Sequence, residues 1–384
     1  MNKQELEAAF FNHYQKQAQH IFFCPGRVNL IGEHIDYNGG QVMPFAISLG
    51  SYLAVSKNND NVLRFQSADF PEQIELPLQK AYTKTGKEWY NYPLGVINYF
   101  VQQGHTLSGM DFLFYGNLPI GAGLSSSASI EVLMGYAISS LFKIDISRKE
   151  IALLSKKVEN EFIGVNSGIM DQFAVAMGKE SNAILLNCDT VEHRYLPFKL
   201  GDYFTIIINS NKPRTLADSK YNERYAECME ALRILKEAVP INNLCDMSLS
   251  AFNEHRHLIQ NPVIQKRALH VVSENERVHA AVTALESGDI KKLGELLYAS
   301  HQSLKDLYEV SGNELDAIVN FSHSFPACIG ARMTGAGFGG CAIALVAKNS
   351  APEYATKLIA YYTKTIGYKP DVFISAVSDG VCEL

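Results

Sequence analysis

Several large functional classes are excluded by what this chain lacks. Its seven cysteines (Cys24, Cys188, Cys228, Cys245, Cys328, Cys341 and Cys382) are scattered and odd in number, with no C-x-x-C pair. Neither a disulfide framework nor a regularly spaced zinc site is therefore expected, and most of these thiols are predicted to be buried and reduced. His270, His279 and His301 form no H-E-x-x-H pair and read as structural. No apolar run reaches the length of a membrane span, and the opening Met1–Glu5 is polar, without a signal-like apolar core. The expectation is a cytoplasmic protein with no membrane partner. Basic stripes are also missing: 34 Lys and Arg face 40 Asp and Glu, for a net charge of -6, which argues against nucleic acid as a partner. There is no G-x-x-x-x-G-K-S/T loop and no G-x-S-x-G elbow.

What is present is an ordinary globular composition over 384 residues, enough for about two domains, and three glycine-rich stretches. The first by weight is Gly121-Ala122-Gly123-Leu124-Ser125-Ser126-Ser127-Ala128-Ser129. Before it, Met110–Tyr115 reads as a strand. After it, Ile130, Leu133, Met134, Ala137, Ile138 and Leu141 recur at helical spacing. The loop is thus predicted at a helix N-terminus, where unpaired amides and the helix dipole suit a phosphate. A plain connection remains the alternative.

The second stretch runs from Pro25 to Gly40 and packs Arg27, Glu33, His34 and Asp36 into ten residues between glycines. Such a turn-rich cluster suits a hydroxyl-rich ligand; a solvated loop with local salt bridges is the alternative. The third, Arg332-Met333-Thr334-Gly335-Ala336-Gly337-Phe338-Gly339-Gly340, contains G-x-G-x-x-G. It is followed by strand-like Cys341–Val346 rather than a helix, so a dinucleotide fold is discounted.

Between these lie the remaining elements. A helix is predicted over residues 3–18, with Leu6, Ala9, Phe10 and Phe11 to one side. Val42–Val55 reads as strand, and the Asn58–Asn61 turn predicts a β-hairpin to Val62–Phe65. Ser147 to Glu150 fits a capping box for a helix through Glu161, on which Glu159 sits where the dipole disfavours it. Ser167 is a candidate cap for a helix to about Gly178 that carries Asp171 off its apolar stripe. Further strands are expected at 183–187, 204–209 and 371–376. Helices are expected at 221–237, through much of 245–325 and at 351–364.

Taken together, the three glycine-rich stretches resemble the GHMP small-molecule kinases, and their galactose-phosphorylating branch in particular. Residues 25–37 look like its sugar signature, residues 118–129 its ATP loop and residues 333–341 its third motif. The resemblance implies an α+β (mixed α/β) two-domain architecture. Residues 1–190 would form an N-terminal ribosomal-protein-S5-like α/β domain, and residues 191–365 a C-terminal ferredoxin-like α+β domain. Residues from about 366 to 384 would return to the first.

It implies ATP-dependent phosphorylation of the C1 hydroxyl of α-D-galactose, the entry step of galactose metabolism, by a monomer using Mg2+. By position, Asp171 matches the catalytic base and Arg27 the arginine that holds it ionised and stabilises the transferring group. Glu33, His34, Asp36, Gly168, Asp171 and Tyr221 match sugar contacts. Ser67, Gly121, Ala122, Gly123, Leu124, Ser125, Ser126 and Ser127 match nucleotide contacts, and Ser127 with Glu159 the metal ligands. Ser167 stands where many members have Cys. Related kinases of N-acetylgalactosamine, mevalonate or homoserine, and a non-catalytic galactose sensor, remain as rivals.

Overall fold

Aromatic and β-branched residues concentrate in the stretches that pair, and clusters of Asn, Gly and Pro separate them. The structure is a computed structural model that describes residues 1–119, 122–212 and 217–384, the side chains of 217–219 excepted. The predicted nucleotide contact Gly121 lies outside the described residues.

The chain begins with helix α1 (Lys3–Tyr14) and strands β1 (His20–Asn29), β2 (Gln41–Val42), β3 (Pro44–Lys57), β4 (Val62–Ser67) and β5 (Gln73–Pro77). Helix α2 (Asn91–Gln102), strand β6 (Met110–Gly116) and helices α3 (Ser126–Phe142), α4 (Arg148–Lys157) and α5 (Met170–Met177) follow. Next come β7 (Asn182–Asn187), β8 (His193–Pro197), β9 (Tyr203–Asn209), and helices α6 (Ala217–Lys236), α7 (Leu249–His255), α8 (Pro262–Ser287), α9 (Ile290–Ser303) and α10 (Asn313–Ser324). The last elements are β10 (Cys328–Thr334), β11 (Cys341–Ala347), α11 (Ala351–Ile366), β12 (Asp371–Ile374) and β13 (Cys382–Glu383).

Three sheets result, in the orders β13-β1-β3-β6-β4-β5, β10-β11-β9-β12 and β2-β7-β8. Helices α3 and α5 pack on β1 and β3, while α9 and α10 pack on β10. On the other face of the first sheet, α1 inserts Leu6 and Phe10 against Ile21, Ala54 and Leu113. Strand β1 is therefore covered on both faces, which explains why it is buried almost throughout instead of alternating.

Several local expectations give way to tertiary context. Helix α1 stops at Tyr14, where Gln15 turns left-handed, and Phe11 is exposed. The Asn58–Asn61 turn does not make a hairpin of β3 and β4. Strand β6 lies between them, antiparallel to β3 and parallel to β4. Asn58 explains the separation: its N–H donates to the Gly109 carbonyl, and its amide donates to Val62 O and Asp111 Oδ1. The side chain thus fills the turn and ties both strands to β6. Strand β12 pairs with β9, so the chain returns to the first sheet beyond residue 374 rather than at 366, through the Ile47–Val377 bridge and β13.

Candidate active site

Motifs far apart in sequence converge because the strand carrying the first of them meets the loop of the second. Pairing of β1 with β3 shifts register between Pro25 and Arg27, and there the Arg27 N–H donates to the Leu124 carbonyl at 3.1 Å. A Cβ on Gly26 would stand 2.7 Å from that same carbonyl, so only glycine permits the approach. The third motif forms the turn between β10 and β11. Its Gly335 adopts φ +83°, with space for a Cβ closed to 3.1 Å by Gly123 O.

Between these motifs lies a cleft of about 570 Å³. Arg27, Glu33, His34, Asp36, Gly123, Ser125, Ser126, Ser127, Glu159, Gly168, Asp171 and Tyr221 all border it, beside Gly335 and Ala336 of the third motif. Tyr92, Ile163 and Val165 border it as well. Ser67, Ala122 and Leu124 do not. Ala122 and Leu124 are buried, and the Ser67 hydroxyl is buried, accepting from the Asp69 N–H at 3.1 Å.

Helix α3 begins at Ser126, and Ser129 makes its first backbone bond, to Ser125 O. The amides of Ser126, Ser127 and Ala128 precede that bond at the N-terminal end of a 17-residue helix, the end that favours an anion. Ser125 is left-handed at φ 64° and does not cap the helix with its side chain. Its hydroxyl donates instead to Asp171 Oδ2 at 2.5 Å.

Arg27 is buried and binds Asp171 through two nitrogens, Nε to Oδ1 at 2.9 Å and Nη2 to Oδ2 at 2.8 Å. Its Nη1 donates to Gly123 O at 2.7 Å. One guanidinium thus locks the first turn of α5 to the serine loop. Arginine's fixed fork suits that task, which a lysine could not perform.

Glu159 lies elsewhere than a frayed helix end. After α4 the backbone widens into a π-helical turn over Val158–Ile163, which carries Glu159 inward. Its Oε1 accepts from Ser127 Oγ at 3.0 Å, and its Oε2 from Ser167 Oγ at 2.7 Å and Gln172 Nε2 at 2.5 Å. Burial pushes this carboxyl upward, against the hydroxyl and amide donors that pull it down. Ser167 accordingly does not cap α5, which starts at Met170 without a side-chain cap; a carboxylate is the stronger acceptor. Ser127 and Glu159 fit a hard cation such as Mg2+. They offer one carboxylate and one hydroxyl oxygen beside the N-terminus of α3, and Mg2+ commonly draws its other ligands from phosphate and water. Among the described residues no group of three His, Cys, Asp or Glu side chains could hold a metal alone.

On the other side of the cleft, Asp36 is half-buried and pushed up to about 6 by desolvation and then by Asp171. Gly168 touches it: a Cβ there would lie 1.9 Å from Asp36 Oδ2. Glu33 is buried and reaches across to the third motif. Its Oε1 accepts from Thr334 Oγ1 at 3.0 Å and the Gly335 N–H at 2.7 Å, with Arg332 Nη2 at 3.2 Å. His34 sits at φ 62° with both ring nitrogens engaged. Nε2 meets Ala336 O at 3.1 Å and must donate, so Nδ1 accepts from Tyr37 OH at 2.9 Å. Tyr37 in turn contacts Tyr308 OH at 2.7 Å. Burial lowers His34 to about 3, which keeps it neutral. Tyr221 packs its ring against His34 and Tyr37.

Nothing in the motifs singles out Arg332, Tyr37, Tyr308, Gln172 or Glu131. Arg332 carried a signal, as a lone cation in an otherwise uncharged strand. Glu131 is likewise the one charged residue of α3. Tyr308 carried none, because its contacts are all distant in sequence.

Comparison with known proteins agrees with this geometry. The galactokinase galactose-binding signature matches residues 8–57, the GHMP kinases N terminal domain 91–179 and the GHMP kinases C terminal domain 281–364. A galactokinase of Clostridium tetani is 48% identical over 100% of this chain and 98% of its own length. One from Enterococcus faecalis is 48% identical over 98% of each. The crystal structure of Lactococcus lactis galactokinase complexed with galactose superposes with a TM-score of 0.96 at 41% identity, covering 99% of both chains. Methanococcus jannaschii mevalonate kinase, at 21% identity and a TM-score of 0.68, shares the fold. With these motifs, this fold and this identity along its whole length, the chain belongs to the galactokinases of the GHMP kinase family.

Proposed function

We propose that this chain transfers the γ-phosphoryl group of ATP to the C1 hydroxyl of α-D-galactose, giving α-D-galactose 1-phosphate and ADP. The observation that carries the reading is the carboxylate of Asp171, held by Arg27 within the same cleft as the α3 N-terminus. Asp171 accepts three hydrogen bonds from Arg27 and Ser125 and keeps acceptor capacity for one more donor, the C1 hydroxyl. As that oxygen bonds to the γ-phosphorus, the bond to the β–γ bridging oxygen breaks, ADP leaves and the hydroxyl proton passes to Asp171. Arg27, between Asp171 and the loop, stabilises charge on the transferring oxygens. The loop amides of Gly123 to Ser127 hold the phosphates, Tyr92 and its neighbours border the base end, and Ser127 with Glu159 would hold Mg2+. When bound, Mg2+ neutralises phosphate charge.

Galactose selection falls to Asp36, the second oxygen of Glu33, Gly168 and Tyr221. The imidazole nitrogens of His34 being engaged, its contribution comes from backbone and ring edge. We further read residues 1–197 and 203–374 as two domains flanking the cleft, because β8 pairs with β7 and β12 with β9, so the boundaries lie later than 190 and 365; the chain end returns to the first beyond 374, and we read the protein as a cytoplasmic monomer.

A coupled ADP-release assay over galactose, N-acetylgalactosamine, mevalonate, homoserine and other hexoses tests the reading. Turnover should be greatest with galactose. Galactose binding without turnover of any substrate would instead establish a sensor.

A further inference from the structure

Tyr308 is 0% exposed, at the end of a π-helical turn, Leu304–Tyr308, that follows α9. It takes no part in the chemistry proposed above, yet its carbonyl and its hydroxyl are both held. The carbonyl accepts from Arg224 Nε of α6 at 2.7 Å. The hydroxyl lies 2.7 Å from Tyr37 OH and 3.0 Å from Cys228 Sγ, also on α6. The ring packs against two imidazoles, with centroids 4.8 Å away at His34 and 4.5 Å at His270. His270 in turn meets the Glu33 carbonyl through Nε2 at 3.1 Å. The backbone on either side of Tyr308 is pinned as well: Arg267 Nη1 donates to Leu307 O at 2.5 Å, and the Phe338 N–H to Val310 O at 2.7 Å. One buried tyrosine thereby joins the sugar signature to α6, next to the third motif.

The hydrogens of this chain run one way. Ala336 O only accepts, so Nε2 carries the His34 proton, and Nδ1 of the neutral ring takes the hydrogen of Tyr37. The Tyr37 oxygen then accepts from Tyr308, and the hydrogen left at the Tyr308–Cys228 contact is the thiol's. The partners of the two ring nitrogens are a carbonyl and a hydroxyl, neither of them an anion. A buried imidazolium without an anion is costly, so the neutral ring is favoured.

We propose that Tyr308 is a positioning residue for the sugar side of the cleft: its hydroxyl, donated to Tyr37, turns the Tyr37 hydrogen onto His34 Nδ1, and its hold on α6 sets Tyr221 against the His34 and Tyr37 rings. Tyr221 precedes Arg224 by about one turn of α6. Its ring centroid lies 5.8 Å from that of His34 and 5.5 Å from that of Tyr37. Tyr221 and His34 both border the cleft. The partners of Tyr308 lie outside the serine loop and the Glu159 turn, so loss of its hydroxyl should fall on the sugar and spare the nucleotide. The kinetic part of this inference rests on the function proposed above; the hydrogen-bond chain does not.

Two measurements on the full-length enzyme test it. In steady-state kinetics, Tyr308→Phe, which keeps the ring, and Tyr37→Phe should each raise the KM for galactose about 5- to 10-fold, the scale of one lost buried hydrogen bond. The kcat and the KM for ATP should not change. Because the two hydroxyls act in one chain, the double variant should resemble Tyr37→Phe alone. An unchanged KM for galactose in Tyr308→Phe, an equal rise for ATP, or a double variant that multiplies the two single effects would overturn the proposal. Nitrogen-15 NMR of histidine-labelled enzyme, with His34 identified by the signal missing in His34→Gln, reads the ring directly. Wild type at neutral pH should show a proton on Nε2 and none on Nδ1. The Nδ1 signal should move in Tyr308→Phe and further in Tyr37→Phe. A proton on Nδ1, or an Nδ1 signal that Tyr308→Phe leaves in place, would overturn the proposal. If Tyr308→Phe does not fold, Tyr37→Phe must show both the galactose-only rise and the moved signal, and the proposal falls without them. If wild type neither binds nor turns over galactose, the function proposed above fails, while the His34 signal still decides the chain.

Discussion

Asp171 and Glu159 border one cleft, yet their surroundings differ in kind. Asp171 is partly exposed and paired with the two-nitrogen fork of Arg27. Glu159 is buried, and its donors are two hydroxyls and an amide, none of them a cation. On the function proposed above, the carboxylate matched by a guanidinium is the acceptor that meets the substrate hydroxyl. A buried carboxylate with neutral donors alone would be completed, on that reading, by a cation that arrives with the nucleotide. On the proposed function the two acids divide the work, one facing the sugar and the other the phosphates.

The largest effect that would break this division is at Asp171. Asp171→Asn removes the proton acceptor and should lower kcat by about 100-fold or more, with galactose affinity by calorimetry little changed. Turnover near that of wild type would end the assignment of Asp171 as base.

A comparable loss, of about 100-fold in kcat/KM for galactose, is expected from Gly168→Ala. The added methyl would overlap Asp36 Oδ2, so the carboxylate must move. The KM for ATP should stay put, and an equal rise for both substrates would show that Asp36 does not belong to the sugar side.

Asp36 also gives the site a pH dependence. Its carboxyl is raised from 3.8 to about 6 by desolvation and Asp171, while Arg27 and two backbone N–H groups oppose the rise. Between those values the folded protein binds a proton that the unfolded chain does not. This group therefore favours the fold at acid pH and disfavours it as pH rises through 6. Sugar binding runs the other way, because accepting from hydroxyls needs the ionised form. The KM for galactose should rise as pH falls below 6, by up to about tenfold per pH unit, and Asp36→Asn should flatten the profile.

The smallest effect is expected at Ser67. Its hydroxyl serves the Asp69 N–H rather than the cleft, so Ser67→Ala should lower stability by about 1 kcal/mol in denaturant melts and leave the KM for ATP unchanged. A large rise in that KM would place Ser67 on the nucleotide after all.

How legible all this was in the sequence follows from what each feature depends on. The helix after the serine loop, the Ser147 capping box and the strand–turn–strand of the third motif were readable because local spacing and turn chemistry determine them. The 58–61 turn misled because a strand some fifty residues later enters between its flanks, and nothing local announces that. At the site, Arg27 and Asp171 were marked by their motifs, but their mutual clamp was not. The engagement of both His34 nitrogens depends on Tyr37 and on Ala336, three hundred residues away. Glu159 is legible in the sequence only as a charge placed against a helix dipole. Its actual setting required a π-helical turn and three donors from other segments.

The contrast between the two acids is tested most directly by one paired titration, with Mn2+ added to Glu159→Gln and to Asp171→Asn in the presence of a non-hydrolysable ATP analogue. The account predicts that Glu159→Gln loses metal affinity, by about 10-fold or more, while Asp171→Asn binds Mn2+ like wild type. Retention of affinity in Glu159→Gln, or its loss in Asp171→Asn, would contradict it.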